Sequence, residues 1–387
     1  MAKLKSMKKW ISMALAMIMV VAMFTGCASP EKIETKETKE TTEATETPNT
    51  SVSEEAVEAG KSQPAQRIVS GYYITTSACI ALGLKDKMVG IEAKADKRPI
   101  YKLAAPELIG LPSVGTAKEF DLEGCAALNP DLVILPKKLS EQAGILEGMG
   151  MKTLVVNPES MEGLEEAIRS IAAATGTQER AEALIGWYGA KKEKLAGITG
   201  QAGSGEHKPQ VYIAGTRSIL RAATTQMYQN SLIELAGGVN AAADLTDNGW
   251  ADISYEQLIT YNPEVIVVIP EAEYTKEDVL KDGQLAGTAA VQNGRVYEMP
   301  SSFEAWDSPV PSGILGCMWL SSILHEDSYP FDEFREEAAE FYREFYGVEI
   351  DPALITRRSG MRMNSNNNND KSEKRTWQFI TERKKYI

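Results

Sequence analysis

The chain is 387 residues long, 43% hydrophobic and 25% charged, with a formal net charge of −13. Phosphate backbones repel a surface of that sign, which argues against a nucleic-acid binder. Its 4 cysteines form no CxxC pair, and 2 histidines are too few for a bare zinc or manganese site or for a His-dependent catalytic triad.

In chain order, Lys3, Lys5, Lys8 and Lys9 precede a run from Trp10 to Phe24 that is apolar apart from Ser12. The run is short for a membrane span. It ends in "FTGC", which resembles a bacterial lipoprotein signal, with Phe24 standing where Leu is usual. That resemblance implies removal of residues 1–26 and acylation of Cys27, anchoring the protein to the outer face of the cell membrane. An ordinary secretory signal followed by an incidental Cys is the plainer alternative. Residues 27–66 are rich in Glu and Thr and carry almost no large apolar side chains, so they read as a disordered tether. Residues 357–387, with "NSNNNND" and a basic end, read as a disordered tail. These three segments carry +4, −5 and +6, which leaves −18 on residues 67–356. Cys79, Cys125 and Cys317 lie in apolar contexts and read as buried free thiols.

Short apolar runs alternate with helical stretches through residues 67–356, the pattern of βαβ units and parallel sheets. Strands are predicted at residues 67–71, 88–91, 131–135 and 152–156, and again at 210–214, 264–269 and 295–299. Runs apolar on both faces belong to strands covered by helices on each side. Between the two sets, residues 161–198 are mostly helix formers broken at "TGT", so a second helix should start near Gln178 and run to about Ile198. The fold class is therefore α/β, two lobes with parallel sheets at 67–177 and 206–356, joined through a rigid helical segment at 178–205.

Two phrases repeat at an offset of 133 residues: "EGCAALNPDLVIL" from Glu123 and "EQLITYNPEVIVV" from Glu256. Each reads as a short helix, an Asn-Pro break and a buried strand. Asp121 is placed to cap the first helix, and Ser254 with Gln257 to form a capping box on the second. Glu123 and Glu256 then both fall at the second helical position. Pseudo-symmetric lobes account for the duplication.

At this point the chain resembles the cluster A substrate-binding proteins of ABC importers, which capture iron–siderophores, haem and cobalamin. The resemblance spans residues 67–347 and rests on "IALGLKDKMVGI", "VGTAKEFDLEGCAALNPDLVIL", "LIELAGGVNAA", "WADISYEQLITYNPEVIVV" and the stretch beginning "NGRVYEMPSSFEAWDSPVPSG", in that order. It implies that the lobes are Rossmann-like, with a ligand held between them at loops following the carboxyl ends of the strands. It also implies that Glu123 and Glu256 dock on a permease dimer with its ATPase. The protein would be a monomer with no intrinsic cofactor, its ligand a ferric siderophore, haem or corrinoid.

The first-lobe cleft loops carry Tyr72, Tyr73, Lys94, Lys97, Arg98, Lys118, Lys137 and Lys138, a set of cations suited to an anionic chelate. The second-lobe candidates are Arg217, Trp250, Phe303 and Trp306, with Asp307 beside them. Trp306 could equally be lobe core. A chelatase- or nitrogenase-like enzyme is the competing class, but no acid/base pair stands at a defined spacing and no Gly-rich phosphate loop follows a strand. A sensor that binds without transport is the third reading.

Overall fold

The predicted apolar runs all become strands, and each lobe builds its sheet around one of them. The computed structural model describes residues 63–201, 207–300 and 302–355; Cys27, the leader, most of the tether and the basic tail lie outside them. The first lobe runs β1 (Ile68–Ser70), α1 (Tyr73–Ala81), β2 (Met88–Gly90), α2 (Pro99–Ala104), α3 (Leu122–Ala127), β3 (Leu132–Pro136), α4 (Ser140–Gly148), β4 (Thr153–Val156) and α5 (Met161–Thr175). Its sheet has the order β2-β1-β3-β4, parallel throughout. All positions of β1 and β3 are buried, as strands covered on both faces require. In α5, Met161, Leu164, Ile168, Ile171 and Thr175 follow helical spacing and are buried; Ser160 caps its start and Gly176, at φ 78°, its end.

The connecting helix α6 (Gln178–Gln201) begins where the sequence places it and runs three residues further than Ile198. The second lobe follows with β5 (Gln210–Ala214), β6 (Arg221–Ala222), α7 (Tyr228–Leu235), β7 (Val239–Asn240), β8 (Ala251–Asp252), α8 (Tyr255–Tyr261), β9 (Val265–Val268), α9 (Lys276–Lys281), α10 (Ala289–Gln292), β10 (Val296–Glu298), α11 (Ile314–Leu324) and α12 (Phe331–Phe341). Its sheet has the order β10-β9-β5-β6-β8, with β7 also on β5. The β10, β9, β5 and β7 pairings are parallel, but β6 and β8 join antiparallel, so this sheet is mixed where a parallel one is expected. Strands of two residues carry no periodic signal, which is why β6, β7 and β8 escape the sequence. One buried cluster includes Ile68 and Ile74 of the first lobe, Tyr188 of α6, and Val265, Trp306 and Phe334 of the second. The core is therefore continuous across the junction between lobes.

The repeated phrase turns out to be one structural device used twice. Asp121 and Ser254 each accept a hydrogen bond from the backbone N–H three residues on, so Glu123 and Glu256 are both second helical residues and both exposed. The capping box at Ser254 is only half made, because the Gln257 amide donates to the Tyr261 hydroxyl at 2.6 Å. Asn129 and Asn262 take left-handed conformations at φ 46° and 45°, which asparagine tolerates and which turns the chain before proline. The acidic residue after Asn-Pro then ties two strands together. Asp131 accepts from the Gln66 and Arg67 backbone N–H groups at 2.8 and 2.9 Å, and Glu264 accepts from that of Gln210 at 3.0 Å.

Candidate functional site

The loops after the four strands of the first sheet converge on one row of side chains. Tyr72 and Tyr73 follow β1 and start α1; their rings meet edge to face with centroids 4.9 Å apart. Arg98, from the segment after β2, lays its guanidinium carbon 4.1 Å from the Tyr73 ring centroid. Lys138, after β3, brings its ammonium 4.7 Å from the Tyr72 ring centroid. Glu159, after β4, accepts from the Tyr72 hydroxyl at 3.3 Å. The result is a cation–ring–ring–cation row, Lys138–Tyr72–Tyr73–Arg98, in which each cation sits on a ring face. Burial pushes the Tyr72 phenol well up, with Tyr73 and Glu159 adding to it, so the row keeps neutral phenols at any physiological pH.

Beneath the row lies a buried carboxylate. Glu92 accepts from the Thr76 hydroxyl at 2.6 Å and the Tyr101 hydroxyl at 2.8 Å, and Arg98 Nε stands 3.4 Å from its Oε1. The second lobe meets the row through Ser308, whose hydrogen bond lowers the Tyr73 pKa against the larger effect of burial. Beside it, burial pushes the Asp307 carboxyl up to about 7, although its own backbone and the Gln229 amide pull the other way. Glu271, in the loop after β9 and at φ 61°, pushes it further up. Trp250 lies over Gly215 at the end of β5, where a Cβ would come within 3.0 Å of its indole ring. The Tyr274 hydroxyl donates to the Gly215 carbonyl at 2.9 Å, fixing the same loop.

The structure gathers Tyr72, Tyr73, Arg98 and Lys138, and it does not gather the rest of the basic set. Lys94, Lys118 and Lys137 are exposed on separate loops, and Lys97 pairs with its neighbour Asp96 at 3.3 Å. Arg217 is exposed after β5. Phe303 and Trp306 are corrections: they do not form an aromatic cleft wall. Trp306 is 1% exposed, donates its indole N–H to the Tyr342 hydroxyl at 2.9 Å and packs edge-on to Phe334, while Phe303 packs on Tyr342. Their place is lobe core. Glu92, Glu159 and Ser308 escape the sequence reading, because a search for cations and aromatics passes over carboxylates and hydroxyls. Glu159 had a usable signal in its position, just after a strand on the same sheet edge.

Both histidines have structural partners: His207 reaches Glu264 Oε1 at 2.5 Å, and His325 the Ala236 carbonyl at 3.1 Å. Among the described residues, no group of three or more His, Cys, Asp or Glu is arranged to hold a metal ion, and no helix is long and apolar enough to cross a membrane. The three described cysteines are buried and free, with thiols pushed up to about 11 or 12 chiefly by burial. A shallow cavity of about 370 Å³ beside β7 involves Asn230, Glu234 and Asn240, on elements apart from the row.

Residues 68–303, more than half of the chain, match the family described as periplasmic binding protein. The chain belongs to the periplasmic binding protein family. Its curated relatives include the molybdate-binding protein MolA of Haemophilus influenzae, 24% identical over 72% of this chain and 85% of that one. The vitamin B12-binding protein of Salmonella paratyphi A is 26% identical over 68% of this chain and 91% of that one. A periplasmic solute binding protein from Veillonella parvula superposes with a TM-score of 0.68 at 24% identity, covering 76% of this chain and 92% of that one. Each of these is named as a binding protein for a small solute. This family member is accordingly an extracytoplasmic solute-binding protein of an ABC transporter and not an enzyme, and what it holds is a transported solute and not a resident cofactor.

Proposed function

We propose that the protein captures an organic metal complex, a ferric siderophore or haem in the first instance and cobalamin in the second, between lobes formed by residues 67–177 and 206–356. The cation–ring–ring–cation row carries this reading. Two phenol rings offer a flat apolar face, and the cations at either end offer charge to an anionic chelate. Trp250, over Gly215 on the other lobe, would supply a further ring. Cys27 would be acylated to tether the monomer to the membrane, and Glu123 and Glu256 would dock on the two permease subunits.

A fluorescence titration tests the reading, with ferric siderophores, haemin, cyanocobalamin, molybdate and free Zn²⁺ as probes. The chain has 6 tryptophans, and Trp306 is sealed in the core, so quenching by a chelate should fall mainly on Trp250 and largely vanish in Trp250→Phe. Response to molybdate or Zn²⁺ alone, with none to any chelate, overturns the proposal.

A further inference from the structure

Arg98 is the member of the row with a buried donor that is not spoken for. Its side chain donates no hydrogen bond to any described residue, and its Nε atom is buried without a well-aligned acceptor although Glu92 Oε1 is 3.4 Å away. A guanidinium has five N–H donors in a rigid fork, and proteins seldom leave them unmet at a buried edge. The side chain is 34% exposed, so the outer part of the fork is open while the inner part is enclosed. Its face is taken by the Tyr73 ring at 4.1 Å.

What holds that inner edge is Glu92, and Glu92 is itself held. It is 6% exposed, with Oε2 accepting from Thr76 and Oε1 from Tyr101, both at distances of strong hydrogen bonds. Those two hydroxyls come from α1 and α2, so the carboxylate is fixed from both helices that flank the row. A counter-ion role for Arg98 alone does not explain the arrangement, because it leaves the outer donors without acceptors. Glu304, the second-lobe carboxylate that senses the Arg98 charge, already accepts three hydroxyls and does not compete for the fork.

We propose that Glu92 is a positioning residue for ligand binding: with Tyr73 it locks the Arg98 guanidinium so that its two terminal nitrogens present a bidentate donor to a carboxylate or other oxyanion of the ligand. This rests on the capture reading above and deepens it, naming the chemical group that the first lobe recognises. Bidentate pairing with an oxyanion needs a fixed fork, and a guanidinium free to rotate about its stem loses that advantage.

The test has a ligand-free arm and a ligand arm, both on the full chain. In the first, the Nε–H of Arg98 is assigned by nitrogen NMR from its loss in Arg98→Ala. Glu92→Gln, which removes the charge 3.4 Å from that nitrogen, should speed its solvent exchange at least about tenfold, as expected on breaking a buried ion pair. In the second arm, ferric citrate is the carboxylate-bearing probe and cyanocobalamin the neutral one. Glu92→Gln should weaken ferric citrate about ten- to hundredfold, leave cyanocobalamin unaffected, and add nothing in the Arg98→Ala background. Unchanged exchange in Glu92→Gln, or losses that add in the double variant, would overturn the positioning role. A wild-type protein that binds no chelate overturns the capture reading instead, and the ligand-free arm then decides by itself whether Glu92 holds Arg98.

Discussion

Ser77 of the first lobe donates its hydroxyl to Glu304 of the second at 2.6 Å, across 227 residues of sequence, and both are buried. The other Glu304 oxygen accepts from Ser312 and, at 3.0 Å, from Tyr346 beyond α12. Burial pushes this carboxyl up, and the three hydroxyls together with the Arg98 charge pull it down. Removing one donor leaves a buried acceptor short of a partner, which costs about 1–3 kcal/mol. Ser77→Ala should therefore lower the thermal midpoint by several degrees and raise hydrogen exchange in α1, the helix that Ser77 ties to the second lobe. An unchanged midpoint with unchanged α1 protection would mean that the bond does not clasp the lobes.

Asp307 gives the fold a pH dependence of definite sign. Its carboxyl is pushed from 3.8 to about 7 in the folded protein, chiefly by burial. The folded state thus keeps a proton that the unfolded chain releases, and stability drains away as pH rises from about 4 to about 7. The full linkage is an upper bound of about 4 kcal/mol, and relaxation around the charged form will reduce it. Asp307→Asn removes the titration. Its midpoint should match that of the wild type near pH 4 and exceed it at pH 8 by several degrees, measured by calorimetry. A difference that is constant across pH contradicts the assignment.

The connecting helix is braced on both sides. Lys191 reaches Glu337 of α12 at 2.6 Å, Lys194 reaches Glu333 and Glu337 at 2.7 and 2.9 Å, and Lys192 reaches Glu165 of α5 at 2.6 Å. Burial would raise the Glu337 carboxyl, but Lys191, the Tyr329 hydroxyl and Lys194 outweigh it and hold it below its ordinary value. That contribution is present above the ordinary carboxylate range and is lost as pH falls through it. With a core continuous across the lobes, ligand binding should change the radius of gyration only slightly in small-angle scattering. Glu337→Gln should destabilise the protein by about 1–3 kcal/mol at pH 7 and progressively less as the pH falls below the ordinary carboxylate range. A large compaction on binding would refute the braced connector.

The scaffold was more legible in the sequence than the site. β3 and β9 read correctly because parallel strands covered on both faces must be apolar at every position, and the Asn-Pro phrase marked both lobes because the same left-handed turn recurs at Asn129 and Asn262. The second sheet's antiparallel corner did not read, since Arg221–Ala222 and Ala251–Asp252 are too short to show alternation. Trp306 misled because composition cannot tell a wall from a core. Among eight basic or aromatic first-lobe candidates, nothing local separates Arg98 from Lys97. The difference is tertiary: Tyr73 and Glu92 meet the one, while the other pairs with its chain neighbour Asp96.

Glu123 and Glu256 remain the sharpest test of how the protein meets its transporter. They stand at the same helical position on opposite lobes, exposed, after caps supplied by Asp121 and Ser254. The Glu256 carboxyl is held below its ordinary value by its own backbone N–H and then by Ser254, so it is charged at neutral pH. An acidic residue near a helix N-terminus is favoured by the macrodipole, and that alone would explain either residue. It does not explain why both lobes keep one where Asp121 and Ser254 already cap the helices. A two-fold permease needs two equivalent handles, and a duplicated lobe offers them. Reversal to Lys at both positions should leave chelate affinity unchanged and the thermal midpoint nearly so, while uptake in reconstituted vesicles stops. Each single reversal should give a partial loss, since a misplaced charge at an interface opposes docking and slows association. Normal uptake by the double variant, or loss of ligand binding in its place, would show that the helix dipole is the whole account of these residues.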